Sequence, residues 1–141
     1  MSINEIQDEI IAEFEDFDDW MDRYQMLIEQ GSAMEPIDEK LKTNDNLIDG
    51  CQSRVWVAPE MKEGRMYIHA ESDALIVKGI VALLVRVFNG QTPKDILEAD
   101  LYFIPRIGLN DHLSPTRSNG LAAMIKQIRL YALTYSAEVK S

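Results

Sequence analysis

The sequence predicts an α+β domain in which a small antiparallel sheet packs against helices. Apolar residues recur at helical spacing at both ends of the chain, as Ile3, Ile6, Ile10, Phe14 and Phe17 and again as Leu121, Ile125, Ile128, Ala132 and Tyr135. Between them lie two short runs rich in β-branched and aromatic residues, "RVWVA" (54–58) and "RMYIHAE" (65–71), which have the composition of strands. Two helices, a hairpin and then further helices give an antiparallel sheet covered on one side.

Ser2 followed by Glu5 matches a capping box, so the first helix starts at Ile3. After the acidic "EDFDDW", Trp20, Tyr24, Leu27 and Ile28 continue a helical stripe that is expected to stop at Gly31, a residue suited to the left-handed position after a helix. From Ser32 to Asp49 the chain is polar, contains Pro36 and "TNDN", and is expected to be mostly loop, with Leu41, Leu47 and Ile48 able to pack. The two strands flank "PEMKEG", with Gly64 in the connection.

Segment 74–88, "ALIVKGIVALLVRVF", is apolar on nearly every side, longer than an ordinary strand, and ends in Asn89-Gly90, so it is expected to be a buried helix. Thr92-Pro93 supplies an N-cap and a proline at the first position of a short helix, "PKDILEA". "YFIPRIGL" is interrupted by Pro105, and Ser114-Pro115 opens a long C-terminal helix. No repeat, low-complexity tract or linker divides the chain, and residues 1–141 are expected to form a single domain.

The 14 Lys and Arg against 24 Asp and Glu leave a net charge of −10, which disfavours a nucleic-acid backbone or an anionic membrane surface as partner. The acidic residues near the N-terminus, from Asp8 to Asp22, are expected to form a solvated helix face, with tuning of a protein contact as the other reading. "MSINEIQDEI" lacks the basic and apolar regions of a secretory signal, and the single cysteine cannot make an internal disulfide, so a cytoplasmic location is expected. The apolar segment 74–88 is short for a membrane span and carries Lys78 and Arg86.

Cys51, His69 and His112 are too few and too irregularly spaced for a stable metal site, so none is expected. A Walker-type loop and a strand–GxGxxG–helix unit are both absent, and no spacing singles out a pair of catalytic carboxylates. Cys51 remains. A free cysteine is ordinarily a small buried hydrophobe, but "DGCQS" places this one between a polar loop and a strand, after a glycine that permits unusual backbone angles.

A thiol reacts as its thiolate, which nearby cations or helix N-termini stabilise. Gly50, Gln52, Ser53 and Arg54 surround Cys51 in sequence, although alternation along a strand need not turn Arg54 toward it. "NDHLSPTRSNG" (110–120) offers His112 as a base and Arg117 as a cation, while Asp111 and Ser114 look like turn and capping residues. These residues alone leave three readings open. Cys51 is a sulfur-transfer nucleophile, the thiol of a stand-alone redox enzyme or sensor, or a core residue of an interaction module.

Three blocks, "GCQSRVW" (50–56), "SDALIVKGIVALL" (72–84) with the following "F.G.TP", and "HLSPTRSNGL" (112–121), resemble the SufE family of sulfur-acceptor proteins over roughly residues 20–135. Gln52-Ser53 after the cysteine is closer to the SufE branch than to the CsdE branch. The resemblance implies a fold similar to IscU-type scaffolds, with Cys51 on a loop at one end of the sheet. It implies that the protein is not itself an enzyme but an accessory that stimulates a SufS-like cysteine desulfurase. Cys51 would accept a persulfide sulfur and pass it to a SufBCD-like iron–sulfur scaffold complex. No cofactor is expected beyond the covalent persulfide, since the pyridoxal phosphate belongs to the partner. A homodimer is compatible with the sequence. Such scaffolds hold their cluster with several ligands, whereas this chain has one cysteine and would carry sulfur alone.

Overall fold

The computed structural model describes residues 1–51 and 53–140. Helix α1 spans Ile3–Glu15 and α2 spans Trp20–Ala33; strands β1 (Val55–Lys62) and β2 (Arg65–Ser72) follow, then α3 (Leu75–Phe88), α4 (Pro93–Glu98), α5 (Phe103–Arg106), α6 (Leu109–His112) and α7 (Pro115–Lys140). The fold is α+β, with a two-stranded antiparallel sheet packed against helices, as the sequence predicts.

The local signals act where they stand. The Ser2 hydroxyl accepts from the Glu5 N–H at 3.1 Å while the Glu5 carboxylate accepts from the Ser2 N–H at 3.0 Å, closing the capping box of α1. Thr92 caps α4, with Pro93 at its first position. The stripe of α1 ends earlier than expected. Phe17 lies beyond the helix and is exposed, whereas Ile3, Ile10, Ile11 and Phe14 are buried.

Gly31 does not stop α2, which continues to Ala33. It serves the close approach of α2 to α3 instead. A Cβ on Gly31 would lie 3.0 Å from the Gly79 nitrogen, and one on Gly79 would lie 2.1 Å from the Leu27 carbonyl oxygen. The two helices meet backbone to backbone, which only glycine permits.

The hairpin is tighter than expected. The strands run on to Lys62 and Arg65, leaving Glu63 and Gly64 as a two-residue turn with φ of 53° and 80°, the left-handed pair that a twisted hairpin favours. Pro59 therefore lies inside β1, opposite Ile68. The Ile68 N–H points away from β1 and donates to the Asn89 side chain at 2.8 Å, so this pair makes no ladder hydrogen bond and the missing N–H of Pro59 costs none. The Met66 N–H donates to the Gln91 carbonyl and the Met66 carbonyl accepts from the Gly90 N–H, both at 2.8 Å, which satisfies the far edge of β2.

One face of the sheet, with Val55, Val57, Met66, Ile68 and Ala70, enters the core alongside Phe14, Leu27, Leu83, Phe88 and Phe103. The expected loop from Ser32 begins later, because Ser32 and Ala33 still belong to α2; from 34 to 49 the chain is irregular apart from single 3₁₀ turns at Glu39–Leu41 and Asn44–Asn46. Its Ile37 and Ile48 are buried, while Leu41 and Leu47 are half-buried. Glu9 and Glu13, from the acidic N-terminal set, form ion pairs with Arg86 of α3 rather than facing only solvent. Among the described residues no helix is long and apolar enough to cross a membrane.

Candidate functional site

The segment before β1 folds back on itself. The Ile48 N–H donates to the Val55 carbonyl at 2.9 Å, Leu47 bridges to Trp56, and Ile48 is buried. The chain is thus pinned at Ile48 and at Val55, and Cys51 stands on the loop between these two points. Gly50 takes φ of 89°, a left-handed conformation that a side chain would strain, so the glycine before Cys51 is required by the backbone.

This loop lies on α7. The Cys51 thiol is half-buried and donates to the Gly120 carbonyl, with Sγ 3.6 Å from the oxygen. It borders a cavity of about 330 Å³. Val77 and Ile80 of α3 and Met124 of α7 give the cavity apolar walls, and Ser53, Ser114, Thr116 and Arg117 give it polar ones. Burial pushes the thiol pKa up from its ordinary value, because the thiolate would lose solvation there. The resting sulfur is a neutral thiol with a carbonyl acceptor.

The candidates from sequence separate here. Ser53 and Arg117 line the cavity with Cys51, and Gly50 shapes the loop. Arg54 is exposed and does not line it; its N–H donates to the Asp73 carboxylate at 3.1 Å, and its carbonyl accepts from the Asp73 N–H at 3.2 Å. His112 is placed elsewhere. Its ring stacks on Trp20 with centroids 3.9 Å apart, its Nδ1 lies 3.1 Å from the Gly108 carbonyl, and its own carbonyl accepts from the Tyr24 hydroxyl at 2.8 Å. Gln52 lies outside the described residues.

Sequence reasoning did not single out Val77, Ile80, Thr116, Gly120 or Met124. Val77, Ile80 and Met124 belong to apolar stripes and carry no separate signal. Gly120 does carry one, since a glycine inside a helical pattern with no capping task marks a close approach. Ser114 does more than start a helix: its hydroxyl accepts from the Arg117 N–H at 3.3 Å, and it also faces the cavity.

The arrangement offers one sulfur nucleophile, sheltered, on a loop anchored at both ends. Among the described residues no group of three or more His, Cys, Asp or Glu side chains could hold a metal ion. A family model described as "SufE: Fe-S metabolism associated domain" matches residues 8–132. The chain belongs to the SufE family. The match takes in the hairpin, the Cys51 loop and most of α7, so the sheltered thiol lies within the SufE domain. The solution structure of a hypothetical protein from Thermus thermophilus has a similar fold, with a TM-score of 0.76 at 21% identity over 92% of this chain and 94% of that one. Membership in SufE associates the chain with iron–sulfur metabolism.

Proposed function

We propose that Cys51 is a sulfur acceptor that takes the terminal sulfur of a persulfide on a pyridoxal-phosphate-dependent cysteine desulfurase and delivers it to an iron–sulfur assembly scaffold. The observation that carries this reading is the placement of the only thiol of a SufE chain on a pinned loop beside a cavity. Gln52-Ser53 favours a Suf-type desulfurase and scaffold as the partners.

The Cys51 thiol first gives up its proton, and the thiolate attacks the outer sulfur of the donor persulfide. That sulfur–sulfur bond breaks as a new one forms on Cys51, and the donor cysteine departs as thiolate with no net oxidation. Delivery repeats the exchange with the scaffold's thiol as nucleophile. A second cysteine nearby would close a disulfide and expel the sulfur; this chain has none. Because the resting thiol is neutral and sheltered, docking of the partner has to move the loop or supply a cation to ionise it. Arg117, on the cavity wall, is the candidate cation from this chain.

A stand-alone thiol enzyme or peroxide sensor needs a thiol with a lowered pKa. Burial acts in the opposite direction here, and His112 lies against Trp20. Incubation with a desulfurase and cysteine, followed by intact-protein mass measurement, tests the carrier reading. The wild-type chain should gain the mass of a sulfur atom and Cys51→Ser should not. A wild-type chain that stays unmodified while the desulfurase turns over would refute it.

A further inference from the structure

Gly120 is buried inside the 26-residue helix α7, where glycine is a poorer helix former than alanine. Its backbone does not need glycine, since the left-handed glycines of the chain are Gly50, Gly64, Gly90 and Gly108. What glycine provides there is space. A Cβ on Gly120 would lie 3.3 Å from Cys51 Sγ and 3.9 Å from both Cα and Cβ of Cys51. One turn further on, a Cβ added to Gly50 would stand 3.6 Å from the Ala123 methyl, so residues 50 and 51 rest on a flat strip of α7.

We propose that Gly120 is a positioning residue for Cys51: the side chain it lacks leaves the berth in which the sulfur lies against α7, so that the thiol, and the persulfide built on it, stay beside the cavity instead of at its mouth. The persulfide clause rests on the carrier function proposed above; the thiol clause does not.

Geometry gives the direction of the effect. A methyl group at position 120 presses on Sγ, and the element able to yield is the loop carrying Cys51 rather than the long helix. An outward shift costs the thiol its Gly120 acceptor and its burial, which brings its acidity back toward that of a free thiol. Arg117 is the charged side chain on the cavity wall, and Gly120→Ala leaves it in place, so a changed titration reports the position of Cys51. The persulfide's outer sulfur reaches about 2 Å beyond Sγ. With Cys51 seated, it can lie against Val77, Ile80 and Met124, where a solvent thiol reaches it slowly.

The test compares wild type with Gly120→Ala. In the unloaded protein, the rate of iodoacetamide labelling is followed against pH. The variant should show a lower midpoint and label about fivefold or more faster at pH 7.5. A double-mutant cycle of thermal midpoints adds a readout independent of labelling. Gly120→Ala should raise the midpoint by about 4 °C when Cys51 is Ala, and by clearly less when Cys51 is present. Superimposable labelling profiles together with equal midpoint shifts in the two backgrounds would overturn the positioning role.

In protein loaded by a desulfurase, dithiothreitol removes the outer sulfur as hydrogen sulfide, restores the Cys51 thiol and is itself oxidised to the cyclic disulfide. Release should be several-fold faster from the variant. Equal release would overturn the persulfide clause. A wild-type chain that takes up no sulfur, yet differs from the variant in labelling as described, would refute the carrier function and leave the positioning role standing.

Discussion

His112 lies flat against Trp20, with ring centroids 3.9 Å apart and planes inclined by 12°. Together with the Tyr24 hydroxyl on the His112 carbonyl, this moors α6 to α2 and sets where α7 begins. Such a stack contributes about 1 kcal/mol. His112→Ala should lower the unfolding free energy by roughly that amount while leaving the labelling rate of Cys51 unchanged. Arg117→Ala should do the reverse, slowing sulfur uptake several-fold with little change in stability. Urea titrations and single-turnover loading measure both, and a loading defect in His112→Ala as large as that in Arg117→Ala would contradict the assignment.

The backbone contact between α2 and α3 leaves no room at Gly79. Gly79→Ala should cost on the order of 3 kcal/mol, because the Leu27 carbonyl that blocks the methyl belongs to a helix and cannot turn aside. Gly31→Ala meets its nearest atom at 3.0 Å and should cost less. Equal denaturation midpoints for wild type and Gly79→Ala would mean that the helices do not cross at this distance.

Burial raises the Cys51 thiol pKa above its unfolded value, so the folded chain holds this proton more tightly. The resulting stabilisation is complete below the unfolded thiol's pKa and is lost as pH rises through the higher folded one. Wild type should therefore lose more unfolding free energy than Cys51→Ala as the pH rises above the ordinary thiol pKa of about 8.5. Tyr131, also raised by burial, titrates in both proteins and cancels in the difference. Parallel stability curves for the two would show that the thiol is as solvated folded as unfolded.

Gln7 is fully buried on α1, where its side chain donates to the Asp100 carbonyl at 3.0 Å and accepts from the Phe103 N–H at 3.1 Å. Gln7→Ala leaves that N–H buried without a partner and should cost about 2 kcal/mol. Hydrogen exchange at Phe103 should accelerate in the variant; unchanged exchange would show that the amide finds another acceptor.

The parts of the fold legible in sequence are those fixed by near neighbours. The Ser2–Glu5 box, the Thr92-Pro93 start and the Asn89-Gly90 stop are contacts over three or four residues, and the alternation that predicts the strands is equally local. Gly31, Pro59 and Gln7 were not legible. The role of each depends on a partner distant in sequence: Gly79 across a helix crossing, Asn89 at the far edge of β2, and Phe103 in α5. At the site, Cys51 and Gly50 stood out because a lone thiol after a glycine is unusual, and Arg117 because it is the cation of the polar stretch 110–120 at a helix start. Gly120 was missed because its reason is the sulfur across from it.

The central claim is that Cys51 relieves a desulfurase of its sulfur. The direct measurement is the rate of alanine formation from cysteine by a Suf-type desulfurase with and without this protein. Wild type should raise the rate and Cys51→Ser should not. Equal stimulation by both proteins, or none by either, would contradict it.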